Sequence, residues 1–516
     1  MFNWPRAAVI LAVSSLLSQI LGLFRDRLLA GSFGAGTELD IYYAAFRLPD
    51  LLYVSLGSLV SVTILVPIII ERRQTGVEAT ERLIGSLFTV FSLFMLVGLT
   101  VIFFLVPLLA PVLAPGFTPV AHSQFILLTR ILLLSPFLLG LSNLVGSVGH
   151  AAQRFTLYAL SPLVYNLGII AGIIFLVPRW GLAGLALGVA LGALLHLVVQ
   201  WPNLHHHGLR PRWVWPIAWR EALEVARLSL PRTLGLAAHQ LAFLVLTALA
   251  SRLAVGSIAI FSLAYNLQSV PLGLVAMSYA VAAFPSLTAA RVKQDWDAFR
   301  REVINAARQI ILWSAPLLVL TIILSERLVR LLFGVGRFSD VDVKLTATVL
   351  SVFIVSLLAQ GLISLLIRAY YAAGYTRRPL IVNLFGAALM IVVAAGFIYF
   401  FPAADWSLFI LPGAFSLAMI INLIWLWRDF HHDLGGGGLN PIYFGKIILA
   451  AVLAALTSAL VVYFWPVTIA STYVNLLVST AAAGLAGLSA YLLVIYLSSQ
   501  SVLKLTHHDQ PGNTKF

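Results

Sequence analysis

The 516-residue chain contains no cysteine and few charged residues, and each shortage excludes something. Without cysteine there can be no disulfide bond, no thiolate metal site and no cysteine nucleophile. Only 10% of the residues are charged whereas 61% are hydrophobic, and the mean hydropathy is +0.99. Most residues of such a chain must lie against lipid or against other apolar helices, so the chain is not a soluble enzyme.

The residue sets that carry catalysis are missing as well. The sequence shows no Ser/His/Asp set, no paired carboxylates within its apolar segments and no metal-ligand spacing, so we expect neither an enzyme nor a bound cofactor or metal. The histidine groups at 205–207, 431–432 and 507–508 lie in basic loops and indicate a solvated face. His239, alone in an apolar segment, fits a packing role.

What the chain has instead is a series of long apolar segments. A helix needs about 20 apolar residues to cross a membrane, and these continuous runs exclude a membrane β-barrel, whose strands are short and alternating. We therefore predict an all-α polytopic membrane protein with about 14 transmembrane helices. The predicted spans are 7–31, 40–70, 83–109, 123–147, 156–177, 181–203, 224–251, 256–288, 303–324, 343–371, 379–402, 405–427, 442–465 and 472–498.

Arginine and lysine fall mainly in every second connection between these spans. If the N-terminus is cytoplasmic, about 22 of the 32 basic residues lie on the cytoplasmic side. Because cytoplasmic loops carry such an excess, we expect both termini in the cytoplasm. The formal charge of +13 then forms a coat that attracts anionic lipid headgroups, and nucleic acid is not an expected partner.

A weak internal repeat divides the first twelve predicted helices into two lobes of six. Residues 45–48 recur as 264–267, about 219 residues later, and 151–166 recur as 372–383. Both lobes should therefore have the same orientation and enclose a central cavity for substrate. The predicted segments are an N-lobe (1–204), a basic amphipathic linker (205–223), a C-lobe (224–430), a glycine-rich linker (431–441), two C-terminal helices (442–500) and a cytoplasmic tail (501–516).

Charged side chains interrupt the first two apolar segments. Ionisable groups at membrane depth are costly and normally face a partner or a wet cavity. Helix 1 carries a polar stripe from Ser15 to Asp26 at three- and four-residue steps, and helix 2 carries one from Asp40 to Asp50. We therefore predict that residues of these two stripes form the functional site. Asp40 has a second interpretation, as the cap of helix 2.

Several motifs of the chain, in this order, resemble those of the MurJ/MviN lipid II flippases of the MOP exporter superfamily. They are SQILGLFRD (18–26), FGAG (33–36), FRLPD (46–50), LPR (230–232) and PLG (271–273). The resemblance implies a bacterial inner-membrane protein that moves the undecaprenyl-linked peptidoglycan precursor to the outer leaflet by alternating access. Such a protein serves cell-wall synthesis and cell shape.

A pyrophosphate-linked substrate requires arginine donors, because guanidinium pairs bidentately with phosphate oxygens. The substrate-binding residues that we expect are Arg25, Asp26, Asp40, Arg47, Asn266, Gln19 and Tyr53. Besides the lipid-linked saccharide and membrane lipids, the resemblance suggests cell-wall synthesis proteins as partners of a monomer.

The chain departs from the family pattern at charged positions. Gln19, Tyr53 and Asn266 stand where the family usually has arginine, and Ser58 replaces an acidic residue. Leu246 stands where helix 7 often carries a carboxylate, and no carboxylate lies in the apolar body of any C-lobe helix. A sodium ion or a proton relay needs a carboxylate or a dense set of oxygens. We therefore expect the membrane potential, acting on an anionic substrate, to drive flipping.

Two alternatives stay open at this point. The altered charges would suit a flippase or exporter of another polyprenyl-linked saccharide, or a transport-inactive scaffold in envelope assembly. In the last two helices, many small residues between 442 and 498 predict close helix packing and a groove that holds the polyprenyl tail.

Overall fold

A computed structural model of the chain describes residues 4–57, 62–152, 155–202, 213–215, 217, 219–401, 407–435, 441–466 and 472–508. Every regular element in these ranges is helical, which confirms the all-α class. Ser58 lies outside the described residues, as do 205–212 and 436–440 of the predicted linkers and 509–516 of the predicted tail.

The helices of the N-terminal half follow the predicted spans. They are α1 (Trp4–Phe33), α2 (Thr37–Leu52), α3 (Val62–Thr75), α4 (Val77–Leu113), α5 (Pro119–Leu132), α6 (Leu134–Ala151), α7 (Phe155–Ala171), α8 (Val177–Gln200) and α9 (Trp219–Ala250). Two predicted spans are interrupted, one by a π-helical turn at Tyr53–Gly57 after Pro49, the other at Leu133 before Pro136. Proline removes an i→i−4 hydrogen bond, which accounts for a bend at both places.

The helices of the C-terminal half also match the predicted spans. They are α10 (Ser257–Pro271), α11 (Ser278–Val292), α12 (Trp296–Phe333), α13 (Asp340–Ile354), α14 (Leu357–Ala373), α15 (Arg377–Phe400), α16 (Ser407–Leu434), α17 (Pro441–Phe464) and α18 (Tyr473–His508). Further π-helical turns lie at Gly172–Leu176, between α7 and α8, and at Leu272–Met277, between α10 and α11. The last of these repeats the first one. It begins about 219 residues after Tyr53, at the spacing of the sequence repeat.

Ten helical stretches in the described part of the chain are long and apolar enough to cross a membrane, or eleven if the bent pair α13 and α14 is one span. The chain is thus a multi-pass membrane protein. One stretch, Phe155–Gln200, has 46 residues; as a straight helix it would be about 69 Å long, more than twice the hydrocarbon thickness of about 30 Å. Gly181 interrupts it with φ 54° and ψ −136°, where two spans were predicted. The count of 14 is not reached by this criterion and stays a prediction.

The chain divides into two compact units. Unit 1 comprises Met1–Leu263, Val335–Asp342 and Thr376–Ala414, and unit 2 comprises Ala264–Gly334, Val343–Tyr375 and Phe415–Phe516. Unit 1 therefore contains α1 to α9, the beginning of α10, and α15. The predicted lobe boundaries are a division of the sequence and stay a prediction.

Two helix contacts within unit 1 correspond to each other in the same way as the two copies of the sequence repeat. The Oδ1 atom of Asn166 on α7 lies 4.0 Å from the position that a Cβ would take at Gly22 on α1. The Nδ2 atom of Asn383 on α15 lies 3.2 Å from the corresponding position at Gly235 on α9. In both copies an asparagine of a later helix lies beside a glycine, which supports the repeat.

Within unit 2 the last two helices, α17 and α18, pack closely together and against α12. Ala450, Ala454 and Tyr491 are buried in one cluster with Leu312, and the Tyr491 hydroxyl donates to the Leu312 carbonyl at 2.7 Å. A Cβ at Gly487 would lie 2.9 Å from the Ala454 carbonyl oxygen. The close approach predicted from the small residues is confirmed, and the lipid-tail groove stays a prediction.

Candidate functional site

Arg25 and Asp26, adjacent on α1, form an ion pair within unit 1. The Arg25 Nε and Nη2 atoms both donate to Asp26 Oδ1, at 3.0 and 2.8 Å, and the Asp26 side chain is only 2% exposed. Arg25 Nη1 donates to Asn166 Oδ1 of α7 at 3.1 Å. The Arg25 side chain keeps 21% of its surface exposed, so its guanidinium is fixed in direction and still accessible.

Asn166 connects the polar stripe of α1 to α7. Its Nδ2 atom donates to Ser18 Oγ at 3.3 Å and to the Pro162 carbonyl at 3.0 Å, while Oδ1 accepts from Arg25. Gly22 lies beside this contact, with Asn166 Oδ1 4.0 Å from the position that a Cβ would take there. Ser18 and Arg25 of the predicted stripe therefore face α7.

Arg47 contacts helices far along the sequence. Its Nε atom donates to Thr247 Oγ1 at 2.9 Å and its Nη2 atom to Ser262 Oγ at 3.2 Å. The guanidinium carbon lies 5.4 Å from the centre of the Phe243 ring, within cation–π range. Arg47 is thus paired with hydroxyl groups and an aromatic face of α9 and α10.

Asp40 caps a helix, but this helix is α10 and not its own helix α2. Its Oδ2 atom accepts from the Gly256 N–H at 2.7 Å and its Oδ1 atom accepts from the Ala259 N–H at 2.8 Å. These N–H groups belong to the N-terminus of α10, where a carboxylate also interacts favourably with the helix dipole. The expectation that Asp40 caps its own helix α2 is therefore wrong, and its contact with substrate stays a prediction.

Glycines bring the α1–α2 loop into backbone contact with two other loops of unit 1. A Cβ at Gly34, which has a φ of +65°, would lie 2.7 Å from the Arg337 carbonyl oxygen. A Cβ at Gly256 would collide with the Ala35 carbonyl oxygen, and the Arg337 N–H donates to the Gly31 carbonyl at 2.9 Å. Together with the Asp40 cap, these contacts hold the starts of α2 and α10 together.

The remaining predicted site residues are Tyr53, Gln19 and Asn266. Tyr53, on the π-helical turn, accepts a hydrogen bond from Asn143 Nδ2 at 2.8 Å. In the described residues, Gln19 Oε1 and the Tyr43 hydroxyl are buried without a hydrogen-bond partner. Tyr43 also lies near Arg25, Asp26 and Arg47. Asn266 belongs to unit 2, and its place beside the other residues stays a prediction.

Comparison with known proteins assigns the chain to a family. A family profile described as "Lipid II flippase MurJ" matches residues 29–484. The chain belongs to the MurJ lipid II flippase family. Among its relatives, the probable lipid II flippase MurJ of Haemophilus influenzae is 28% identical over 467 residues, 85% of this chain and 89% of that protein. The probable lipid II flippase MurJ of Vibrio cholerae is 26% identical over 528 aligned residues, which span 99% of this chain and 98% of that protein.

Solved structures show the same fold. A structure described as "Lipid II flippase MurJ, inward closed conformation" has a TM-score of 0.80 at 22% identity and covers 96% of this chain and 100% of that one. An inward-facing multidrug resistance MATE family transporter of the MOP superfamily has a TM-score of 0.68 at 15% identity, covering 83% and 99%. The chain therefore shares the fold of the solved MurJ structure over 96% of its length.

Sequence reasoning found the arginines and missed most of their partners. Asn166, Thr247 and Ser262 are the side chains that orient Arg25 and Arg47. Asn166 could have been suspected, because it is an amide within an apolar span and belongs to the repeat. Thr247 and Ser262 gave no signal, since single hydroxyl groups occur throughout membrane helices.

Proposed function

We propose that this chain flips lipid II from the cytoplasmic to the outer leaflet of the bacterial inner membrane by alternating access. The observation that supports the proposal most is the Arg25 guanidinium, held by Asp26 and Asn166 at membrane depth. Three of its five N–H groups are engaged by these two side chains. The other two can donate to a pyrophosphate, which matches a planar guanidinium bidentately.

The other predicted residues take supporting roles in this proposal. Arg47 adds a second positive charge on α2. Gln19 Oε1 and the Tyr43 hydroxyl are buried without a partner in the described structure. The Gln19 oxygen can therefore accept a hydrogen bond from a polar headgroup, and the Tyr43 hydroxyl can accept or donate one. Tyr53 and Asn266, at positions where the family usually has arginine, would contact uncharged parts of the substrate.

Alternating access requires that the junction held by Asp40 opens. With both termini in the cytoplasm, as we propose, this junction lies at the outer face, because it joins the α1–α2 loop to the start of α10. The Asp40 cap and the close backbone approaches at Gly34 and Gly256 leave no space in the closed junction, so it excludes a headgroup from that side. The polyprenyl tail would stay in lipid, in the groove that we assign to α17 and α18. We propose a monomer, with cell-wall synthesis proteins as partners.

The proposal is tested by complementation of a strain depleted of its own lipid II flippase. The wild-type chain should restore growth and cell shape, and Arg25→Ala should not, at equal membrane abundance. Arg330→Ala, which removes an arginine paired with Glu326 on α12, is a matched control and should complement. If the wild-type chain inserts in the membrane and does not complement, lipid II flipping is refuted.

A second substrate class is favoured by the residues that replace arginine. Gln19, Tyr53 and Asn266 reduce the positive charge available to an anionic headgroup. This change would suit a polyprenyl-linked saccharide with fewer charges than lipid II. The two substrate classes can be compared with protein reconstituted in vesicles that contain both lipid II and a second polyprenyl-linked sugar. Only the preferred substrate should then be flipped rapidly. If neither is flipped, the transport-inactive scaffold is the better description.

A further inference from the structure

The Tyr43 hydroxyl is buried and has no hydrogen-bond partner in the described part of the chain. Tyr43 lies on α2, one turn after Asp40 and one turn before Arg47, and only 8% of its surface is exposed. Its ring packs edge-on against the ring of Tyr42, with 5.3 Å between the centroids. Because the ring is buried and packed, the hydroxyl cannot turn toward water unless the surrounding helices move.

The charged side chains near this hydroxyl are engaged with other groups. They are Arg25 and Asp26 of α1 and Arg47 of α2, all within unit 1. Arg25 donates to Asp26 and Asn166, and Arg47 donates to hydroxyl groups of α9 and α10. The Tyr43 hydroxyl therefore takes no part in the hydrogen bonds that orient the two arginines.

An unpartnered hydroxyl at this place is costly, and phenylalanine would fill the same space without it. The buried group has given up its hydrogen bonds to water and has gained none in the protein. Native proteins contain few such groups, and each one needs an explanation. Near Tyr43 two arginines outnumber one carboxylate, so a partner that enters this region should be an anion with hydrogen-bond acceptors.

Arg25 is the part of this cluster that an anion can reach. Its side chain is 21% exposed, whereas that of Asp26 is 2% exposed. We propose that the Tyr43 hydroxyl donates to a phosphate oxygen when the pyrophosphate of a lipid-linked substrate binds Arg25. Tyr43 is then a specificity-determining residue that raises the affinity for the pyrophosphate. This inference rests on the proposed function, and it adds to Arg25 a donor that carries no charge.

The hydroxyl then has opposite effects on the protein with and without substrate. Without substrate it is buried and unpartnered, and it lowers stability or leaves it unchanged. With substrate it donates to an ionised oxygen, and hydrogen bonds of this kind are about twice as strong as those between neutral groups. A tyrosine with a purely structural role behaves differently, because loss of its hydroxyl lowers stability and leaves the affinity for the pyrophosphate unchanged.

Tyr43→Phe tests the proposal on the purified full-length protein, without a transport assay. Thermal unfolding is measured without ligand, and binding is measured for farnesyl pyrophosphate, a short polyprenyl pyrophosphate, and for farnesol, which has the same chain and no phosphate. Tyr43→Phe should unfold at the same temperature as the wild type or at a higher one. It should bind farnesyl pyrophosphate at least about tenfold more weakly, with unchanged binding of farnesol.

Two other tyrosines serve as controls. Tyr491→Phe removes a buried hydroxyl that donates to the Leu312 carbonyl at 2.7 Å, so it should lower the unfolding temperature. Tyr399→Phe removes an exposed hydroxyl near the end of α15, and it should change neither the unfolding temperature nor the binding of farnesyl pyrophosphate.

Three results would overturn the proposal. A lower unfolding temperature or a failure to fold in Tyr43→Phe would show that the hydroxyl is already bonded, to a protein group or to a water, without substrate. Unchanged binding of farnesyl pyrophosphate in Tyr43→Phe would refute this inference alone, if the wild-type chain complements a flippase-depleted strain. Absence of farnesyl pyrophosphate binding to the wild-type protein would count against the proposed function as well.

Discussion

The Asp40 cap gives a quantitative prediction about the junction between α2 and α10. Asp40→Ala removes the acceptor of two backbone N–H groups, those of Gly256 and Ala259, and leaves both buried. A hydrogen bond to a charged group contributes about 1.5–3 kcal/mol, and a lost N-cap costs about 0.5–2 kcal/mol. Because the two bonds belong to one cap, we expect a total loss of about 3 kcal/mol. That loss corresponds to roughly 100-fold easier local opening at the start of α10.

Hydrogen exchange read by mass spectrometry measures this opening directly. Peptides that cover residues 254–260 should exchange roughly 100-fold faster in Asp40→Ala than in the wild type, if exchange follows local opening. Asp342→Asn is a matched control, because Asp342 accepts a backbone N–H, that of Ser339, in an exposed turn. It should leave 254–260 unchanged. Unaltered exchange of 254–260 in Asp40→Ala would refute the cap as the element that holds the junction.

Two further predictions concern helix packing. Pro107 deprives the Phe103 carbonyl of its helical partner, and Arg130 Nε donates to this carbonyl at 3.1 Å. Arg130→Met should therefore lower stability by about 1–3 kcal/mol in thermal unfolding. In a Pro107→Ala background the loss should be clearly smaller, because the backbone N–H of residue 107 can then donate to the Phe103 carbonyl. Equal losses in both backgrounds would contradict this. Gly487→Leu should separate α17 from α18 at Ala454 and lower stability by about 1–3 kcal/mol. If the two helices hold the polyprenyl tail, this variant should slow the flipping of long-chain lipid more than that of a short-chain analogue. An equal effect on both lipids would indicate a structural role only.

Much of the fold could be predicted from the sequence, because hydrophobic length and helix-breaking residues are local signals. The division at Gly181 followed from the end of one apolar run and the start of another, and the interruption of the second span comes after Pro49, a helix-breaking residue within the predicted span. The π-helical turn at Leu272–Met277 was not predicted as such. Its spacing from the first one agrees with the repeat, which the sequence did show.

The partners within the candidate site could not be predicted, because they depend on contacts between distant segments. Arg25 and Asn166 are 141 residues apart, and Arg47 and Ser262 are 215 residues apart. The cap formed by Asp40 shows the same limit. A carboxylate in the first turn of a helix is most simply read as the cap of that helix, and only the packing of α2 against α10 shows which N–H groups it accepts.

The proposed flipping of lipid II is tested most directly with protein reconstituted in vesicles that contain fluorescent lipid II. The wild-type chain should transfer the lipid between leaflets, and Arg25→Ala should abolish transfer. Arg25→Lys should restore little of it, since an ammonium cannot make the bidentate contact. Asn266→Ala should keep most of the activity, because that residue contributes no charge. Full activity in Arg25→Ala together with loss in Asn266→Ala would contradict the account and move the pyrophosphate site away from Arg25.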